Sequence, residues 1–380
     1  LGKHGSLEWL PGKGVGLSSN CFPFILCPPV PNIYPFIVND PGEGSQAKRR
    51  THAIIIDHLT PPLSHAGIFN ELLEIENLID EYYESKLMND NRKDLLEKKI
   101  MDLLIKNSWP GIESNTLKSD KKEINIQEII DNAESYLCEI KQSQIRTGLH
   151  IFGVRQSMDK LLELTLLISN VPKGTTQGLS QCIADDLGFT IDPWKDEESL
   201  DLKPLDINLF REYTSISARK VGTVVNWLNE MAMFIIEYHC TKILNNNSTQ
   251  TKQIVLNRKL LKYLDNEKPN IIINHLLNNI LPRLLKSSVN EKTNLLRALD
   301  GQRITSGPSG APTRGKLEVL PTGKNFFSVD IRAIPTETAW DLGKRSAEII
   351  VGLYLQENGE HLSHLAISIW GTSTMRNGGE

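Results

Sequence analysis

Between Asn39 and Arg50 the chain reads NDPGEGSQAKRR, which sets one carboxylate, Glu43, between two glycines and follows it with Lys48, Arg49 and Arg50. A carboxylate accepts a proton when burial raises its pKa, so an acid beside a basic cluster suggests a site. Glycine on either side lets a large ligand approach the backbone. Arginine forks pair carboxylates bidentately, so the three cations suit an acidic ligand. The competing reading is an acid in an exposed turn followed by a solvated helix start. The nearby histidines do not extend the site as a metal pair. His52, His58 and His65 are six and seven residues apart, so no helix face presents two of them. The five cysteines, Cys21, Cys27, Cys138, Cys182 and Cys240, are scattered and odd in number, which is no disulfide framework. Cys21 and Cys27 flank a proline-rich segment and read as small hydrophobes. A reduced, cytoplasmic setting is expected.

Two short motifs imitate nucleotide sites. Gly310–Lys316 fits G-x-x-x-x-G-K, but Leu317 stands where a magnesium-binding hydroxyl is needed, and the prolines before it remove amide donors. Gly42–Ala47 fits the dinucleotide pattern G-x-G-x-x-A after a strand. About five residues separate that motif from the next strand, fewer than a crossover helix needs. Glu43 would also face a pyrophosphate with like charge.

The elements that must hold these residues divide by glycine. Residues 1–60 carry 7 of the 26 glycines and residues 301–380 carry 11, leaving 8 for the 240 between. Glycine supplies turns and close backbone approaches, so chemistry is expected in the two flanks. We divide the chain into an α/β motif block over 1–62, a mostly helical region over 63–300 and a second α/β block over 301–380. In the first block NIYPFIV and HAIIIDHL are runs of strand length. In the middle, Phe69, Leu72, Leu73, Glu76, Ile79, Tyr82 and Tyr83 follow helical spacing, with Ser64 and Asn70 as cap candidates. Further helices are expected near 91–106, 125–143, 155–169, 205–244, 252–264 and 268–298. In the third block NFFSVDI is a strand and Thr336 caps a helix striped by Ala339, Leu342, Ala347, Ile350 and Leu353. LAISIWG is a second strand, completing a parallel unit. A net charge of −4 argues against a nucleic-acid groove, and no apolar run approaches the length of a membrane span. The chain opens at Leu1 without Met and stops after MRNGG, and is expected to be an internal piece of a larger, multidomain protein.

Taken together and in order, HGSLEWLPGKGVGLS, CFP, PNIYPFIVNDPGEGSQAKRR, DHLTPPL, GLHIFG, GPSGAPTRGK, VLPTGKNFFSVDIRAIPT and WGTSTMRNGGE resemble the large subunit of cobaltochelatase, the CobN family. The related magnesium-chelatase H subunits typically carry NNPSEA where this chain has NDPGEG, and a LEF-type run where it has LEW, which favours the cobalt branch. The resemblance implies a subunit that binds a corrin precursor, hydrogenobyrinic acid a,c-diamide, and inserts Co²⁺. AAA+ ATPase subunits of CobS and CobT type would hydrolyse ATP with Mg²⁺ on their own chains. It also implies that glutamates at the positions of Glu8 and Glu43 sit in the active-site cavity, as catalytic groups and transient metal ligands.

His4 is a third candidate proton acceptor. Lys48, Arg49 and Arg50 would face the acidic side chains of the macrocycle. Asp330, Arg332, Thr372 and Arg376 are substrate-binding candidates at strand ends, where α/β sheets bind ligands. Trp370 reads as core, and His150 is a motif member without an assigned role. The alternatives are a magnesium-porphyrin chelatase subunit and a non-catalytic tetrapyrrole-binding scaffold.

Overall fold

The structure is a computed structural model that describes residues 10–13, 18–27, 30–65, 71–85, 90–107, 109, 126–142, 144–146, 148–215, 218–244, 258–265, 270–327, 334–369, 374 and 379. It is a mixed α/β assembly. A short helix α1 (Phe22–Leu26) leads into β1 (Ile33–Ile37), α2 (Pro41–Thr51) and β2 (Ile54–His58). Then come β3 (Leu63–His65), α3 (Glu71–Ser85), α4 (Asp90–Lys106), α5 (Ile126–Gln142) and β4 (Gln144–Arg146). The helices α6 (Met158–Ser169), α7 (Leu179–Leu187), α8 (Pro204–Thr214), α9 (Val221–Ile243) and α10 (Ile271–His275) follow. A π-helical turn, Leu276–Ile280, continues α10 into α11 (Leu281–Leu299), and β5 (Ser306–Pro308), β6 (Asn325–Phe327) and α12 (Glu337–Asn358) complete the order. No helix among the described residues is long and apolar enough to cross a membrane.

β1 and β2 pair in parallel, Ile33 opposite Ile54 through Ile37 opposite His58. The segment between them is itself the crossover helix. This overturns the premise that too few residues remain for one: NDPGEGSQAKRR is the helix, not a loop before it. Pro41 opens α2 at a position whose amide has no helical partner anyway, and Pro35 is tolerated in β1 because, among the described residues, that strand pairs with β2 on one side alone. Glu43 therefore lies in the first turn and Lys48, Arg49 and Arg50 in the last, each sign at the end the helix dipole favours.

Other expectations shift in detail. β3 and β4 form an antiparallel pair, so Ser64 lies in a strand rather than at a helix start, and Asn70 lies outside the described residues. In α3 the core face runs through Ile75, Ile79 and Tyr82, while Glu76 is half-buried at its margin. The expected helix over 205–244 is two helices, with α8 ending at Ser215 in a left-handed conformation. The helix α7 lay outside the expected set, and the described part of 252–264 is a 3₁₀ helix, Arg258–Tyr263. Thr336 does cap α12, accepting from the Ala339 amide. However, the expected stripe on α12 is not a core face: Ala339 is its one buried member. Residues 361–369 form no strand, so the expected strand–helix–strand unit of the last block is not built from them. The observed parallel pair there is β5 with β6.

The glycine-rich flanks come together. Phe326 of β6 is buried against Phe36, Ala47, Ala53 and Ile55, under α2 and between the first and last blocks. Backbone bonds join β2 to the turn before β6, from the Asp57 amide to the Lys324 carbonyl and from the Gly323 amide to the Asp57 carbonyl, each 2.9 Å. From the middle block, α11 closes the other side of β2, where Ile56, Ala298 and Ile304 pack together.

Candidate active site at the carboxyl ends of β1 and β2

The chain leaves β1 at Val38, whose amide donates to the His58 carbonyl and whose carbonyl accepts from the Gly310 amide at 2.9 Å. Three motifs thus meet at one edge: NDPGEG after β1, DHLTPPL after β2, and GPSGAPTRGK after β5. Ligands of parallel α/β units bind at such carboxyl ends.

Glu43 is half-buried in the first turn of α2. Its flanking glycines do not both leave space for a ligand. Gly44 is filled by Phe326: a Cβ there would stand 2.3 Å from the ring's Cζ. So Gly44 serves close packing of helix on strand. The basic cluster stands roughly 8–10 Å further along the helix axis, five to seven residues at 1.5 Å each. Lys48 donates to the Phe326 carbonyl at 2.9 Å and to Asn325 Oδ1, and its burial lowers its pKa. Arg50 is buried and donates to the Leu10 and Lys13 carbonyls. Both cations therefore tie α2 to its neighbours. Arg49 is the exposed member of the three. Glu8, His4, Asp330, Arg332, Trp370, Thr372 and Arg376 lie outside the described residues.

Beneath the edge lies a buried polar network. Glu291 of α11 is fully buried, and its Oε1 accepts from the Leu59 amide at 3.0 Å and the Thr322 hydroxyl at 2.7 Å. Its Oε2 meets His150 Nε2 at 2.8 Å and the Gly153 amide at 2.9 Å. Burial pushes the Glu291 pKa up, but these donors, His150 foremost, hold it below the usual value. One carboxylate thereby fastens DHLTPPL, GLHIFG and VLPTGK together, which gives His150 its role. His58 stacks on His150 with ring centroids 5.7 Å apart, and burial lowers its pKa. Asp57, also fully buried, accepts with Oδ1 from the Gly323 and Lys324 amides, each at 2.7 Å. Burial raises its pKa to about 7 against those two bonds.

Glu291 is missed by motif reading because it sits in the helical block; the available signal is an acid at i+7 from Leu284 on the face that also carries Ser287 and Ser288. Cys21 also differs from a plain hydrophobe. Its sulfur accepts from the Lys13 and Ser18 amides, and those bonds with the Ser18 hydroxyl lower its pKa to about 7. Among the described residues no group of three or more His, Cys, Asp or Glu could hold a metal ion.

The chain belongs to the CobN/Magnesium Chelatase family, whose profile matches residues 1–380. It is 41% identical over 384 residues to the aerobic cobaltochelatase subunit CobN of Pseudomonas aeruginosa, covering 100% of this chain and 29% of that protein. It is 29% identical over 406 residues to the chloroplastic magnesium-chelatase subunit ChlH of Oryza sativa subsp. japonica, covering 100% of this chain and 27% of that one. The catalytic subunit of cobaltochelatase from Mycobacterium tuberculosis has the same fold, with a TM-score of 0.71 at 31% identity over 99% of this chain and 29% of that one. The chain thus spans less than a third of the length of these relatives.

Proposed function

We propose that this chain forms part of a cytoplasmic, tetrapyrrole-binding chelatase subunit that inserts Co²⁺ into hydrogenobyrinic acid a,c-diamide. AAA+ partner subunits of CobS and CobT type drive the step by hydrolysing ATP with Mg²⁺. The observation that carries this reading is whole-chain identity: 41% and 40% to two aerobic cobaltochelatase CobN subunits, against 29% to a magnesium-chelatase H-type subunit. The magnesium reading is second on the same comparison.

Metal insertion removes two ring N–H protons and strips water from a divalent ion. Glu43, half-buried at the N-terminus of α2, suits proton removal or ion delivery, with Glu8 and His4 as its proposed companions. The substrate's acidic side chains fall to Arg49, with Asp330, Arg332, Thr372 and Arg376 as further candidates. Lys48 and Arg50 contribute by holding α2.

The test is cobalt insertion by the full-length protein with its ATPase partners, wild type against Glu43→Gln. Removing an acid–base group costs roughly 100-fold or more in turnover. We expect that loss with binding of the metal-free corrin precursor retained. Unchanged insertion would return Glu43 to a helix-stabilising role, and wild-type activity with magnesium and a porphyrin alone would favour the second reading.

A further inference from the structure

His58 is the last residue of β2, and its backbone carbonyl accepts from the Val38 amide at 3.0 Å, five residues before Glu43. Side chains alternate across a strand. Ile55 packs toward Ala47 of α2 and Ile56 toward Ala298 of α11, so His58 shares the face of Ile56. The imidazole and Glu43 therefore belong to one sheet edge and reach it from opposite faces of β2.

The ring is held and its tautomer is decided. Nδ1 lies 3.0 Å from the Leu59 carbonyl. A carbonyl only accepts, so Nδ1 carries the proton and Nε2 keeps its lone pair. His150 stacks on the imidazole with centroids 5.7 Å apart, and Phe152 meets it edge-on at 6.1 Å. His150 is itself held by the buried Glu291 at 2.8 Å. Burial lowers the pKa of His58, so the ring is neutral near pH 7. Two groups act on it through their fields: Glu291 of α11 favours the imidazolium, and His150 of the GLHIFG loop disfavours it. Asp57, one residue before, faces the other side of the strand. Nε2 has no partner among the described residues, and it is not sealed from solvent as Asp57 Oδ2 is. A neutral, oriented nitrogen open to solvent at a strand end can accept a proton.

We propose that His58 is a further catalytic residue of metal insertion, with Nε2 accepting one of the two ring N–H protons. This rests on the chelatase reading above. The ring N–H bond breaks, its electron pair stays on the ring nitrogen to bind the metal, and a new N–H bond forms at Nε2. The imidazolium then passes the proton to water. Glu43, approaching from α2, takes the other proton. DHLTPPL thereby gains a chemical purpose besides its place in the fold.

The experiment measures cobalt insertion into hydrogenobyrinic acid a,c-diamide by the full-length protein with its ATPase partners, using His58→Ala and His58→Asn. Both are expected to lose roughly 100-fold or more in turnover and to keep binding of the metal-free precursor. Asparagine can still donate to the Leu59 carbonyl, so His58→Asn melts as wild type does. Imidazole in solution restores part of the turnover of His58→Ala, because the vacated place is open to solvent, and none of that of His58→Asn. Wild-type turnover falls as pH drops through the His58 pKa, below the ordinary 6.5, because protonation removes the lone pair. His58→Asn lacks that limb. Unchanged turnover of either variant, or a loss in His58→Ala that imidazole does not restore, overturns the assignment while wild-type insertion upholds the chelatase reading. A His58→Asn that melts lower and keeps the pH limb shows a structural residue and overturns it too. If wild type inserts no cobalt, the chelatase reading falls first and this assignment with it.

Discussion

Asp57 and Glu291 are both fully buried acids, yet their pKa values move in opposite directions. Glu291 has four donors, whereas Asp57 has two amides on one oxygen and, among the described residues, no bond to Oδ2. Desolvation wins at Asp57 and donors win at Glu291. The stability consequence at Asp57 has a definite sign. Its folded pKa, about 7, lies above the ordinary 3.8, so within that window the folded state holds more protons than the unfolded one. Stability contributed by Asp57 is therefore present at low pH and falls as pH rises through the window. Asp57→Asn keeps an oxygen for the two amides and has no charge to bury. Relative to wild type it is expected to gain stability, on the order of a few kcal/mol, between about pH 4 and about pH 8. Urea midpoints of both proteins across that range check it; a constant difference would mean that Asp57 titrates normally. None of this was legible in sequence, where Asp57 is one acid in a strand and Glu291 one acid in a helix.

The element that decides the site is α2. Its sequence has two glycines in the first turns and is a poor helix former by propensity. Tertiary anchors hold it: Lys48 on β6, Arg50 on the Leu10 and Lys13 carbonyls, and the Thr51 hydroxyl, which accepts from Asn32 at 3.0 Å. Gly44 admits the Phe326 ring, which is fully buried and cannot swing aside. Gly44→Ala gains helix propensity of about 1 kcal/mol but overpacks that contact at a cost of about 1–3 kcal/mol. We expect net destabilisation of about 1 kcal/mol by urea unfolding. Adding Phe326→Leu should give a double variant less destabilised than the sum of the two single changes, because the residues touch. Strict additivity would rule out the contact as the reason for glycine. Both strands flanking α2 were readable as β-branched, apolar runs. The helix between them was not, because its stabilising partners come from residues up to 278 positions away.

At the scale of the whole molecule, the described parts of the two glycine-rich flanks pack together because β6 and α11 close on β2. The other notable surface is α12, which carries Trp340, Ile349, Ile350, Val351 and Leu353 exposed, followed by exposed Leu365, Ile367 and Ile369. Apolar surface of this extent binds apolar dyes and promotes association. The 380-residue chain, expressed as it stands, is expected to bind a hydrophobic dye and to self-associate. Ile350→Lys with Leu353→Lys should reduce both and leave the unfolding midpoint within about 0.5 kcal/mol, since neither side chain is packed. Undiminished dye binding would place the apolar surface elsewhere.

Apolar, β-branched runs and helical spacing by themselves determined β1, β2 and most of the helices, since these depend on residues within a few positions of one another. Eight ordered motifs determined the family. Tertiary structure alone decided that NDPGEGSQAKRR is a crossover helix, that Lys48 and Arg50 are anchors, and that Glu291 binds three motifs together. Those properties depend on desolvation and on hydrogen bonds between segments far apart in sequence, which no local pattern encodes.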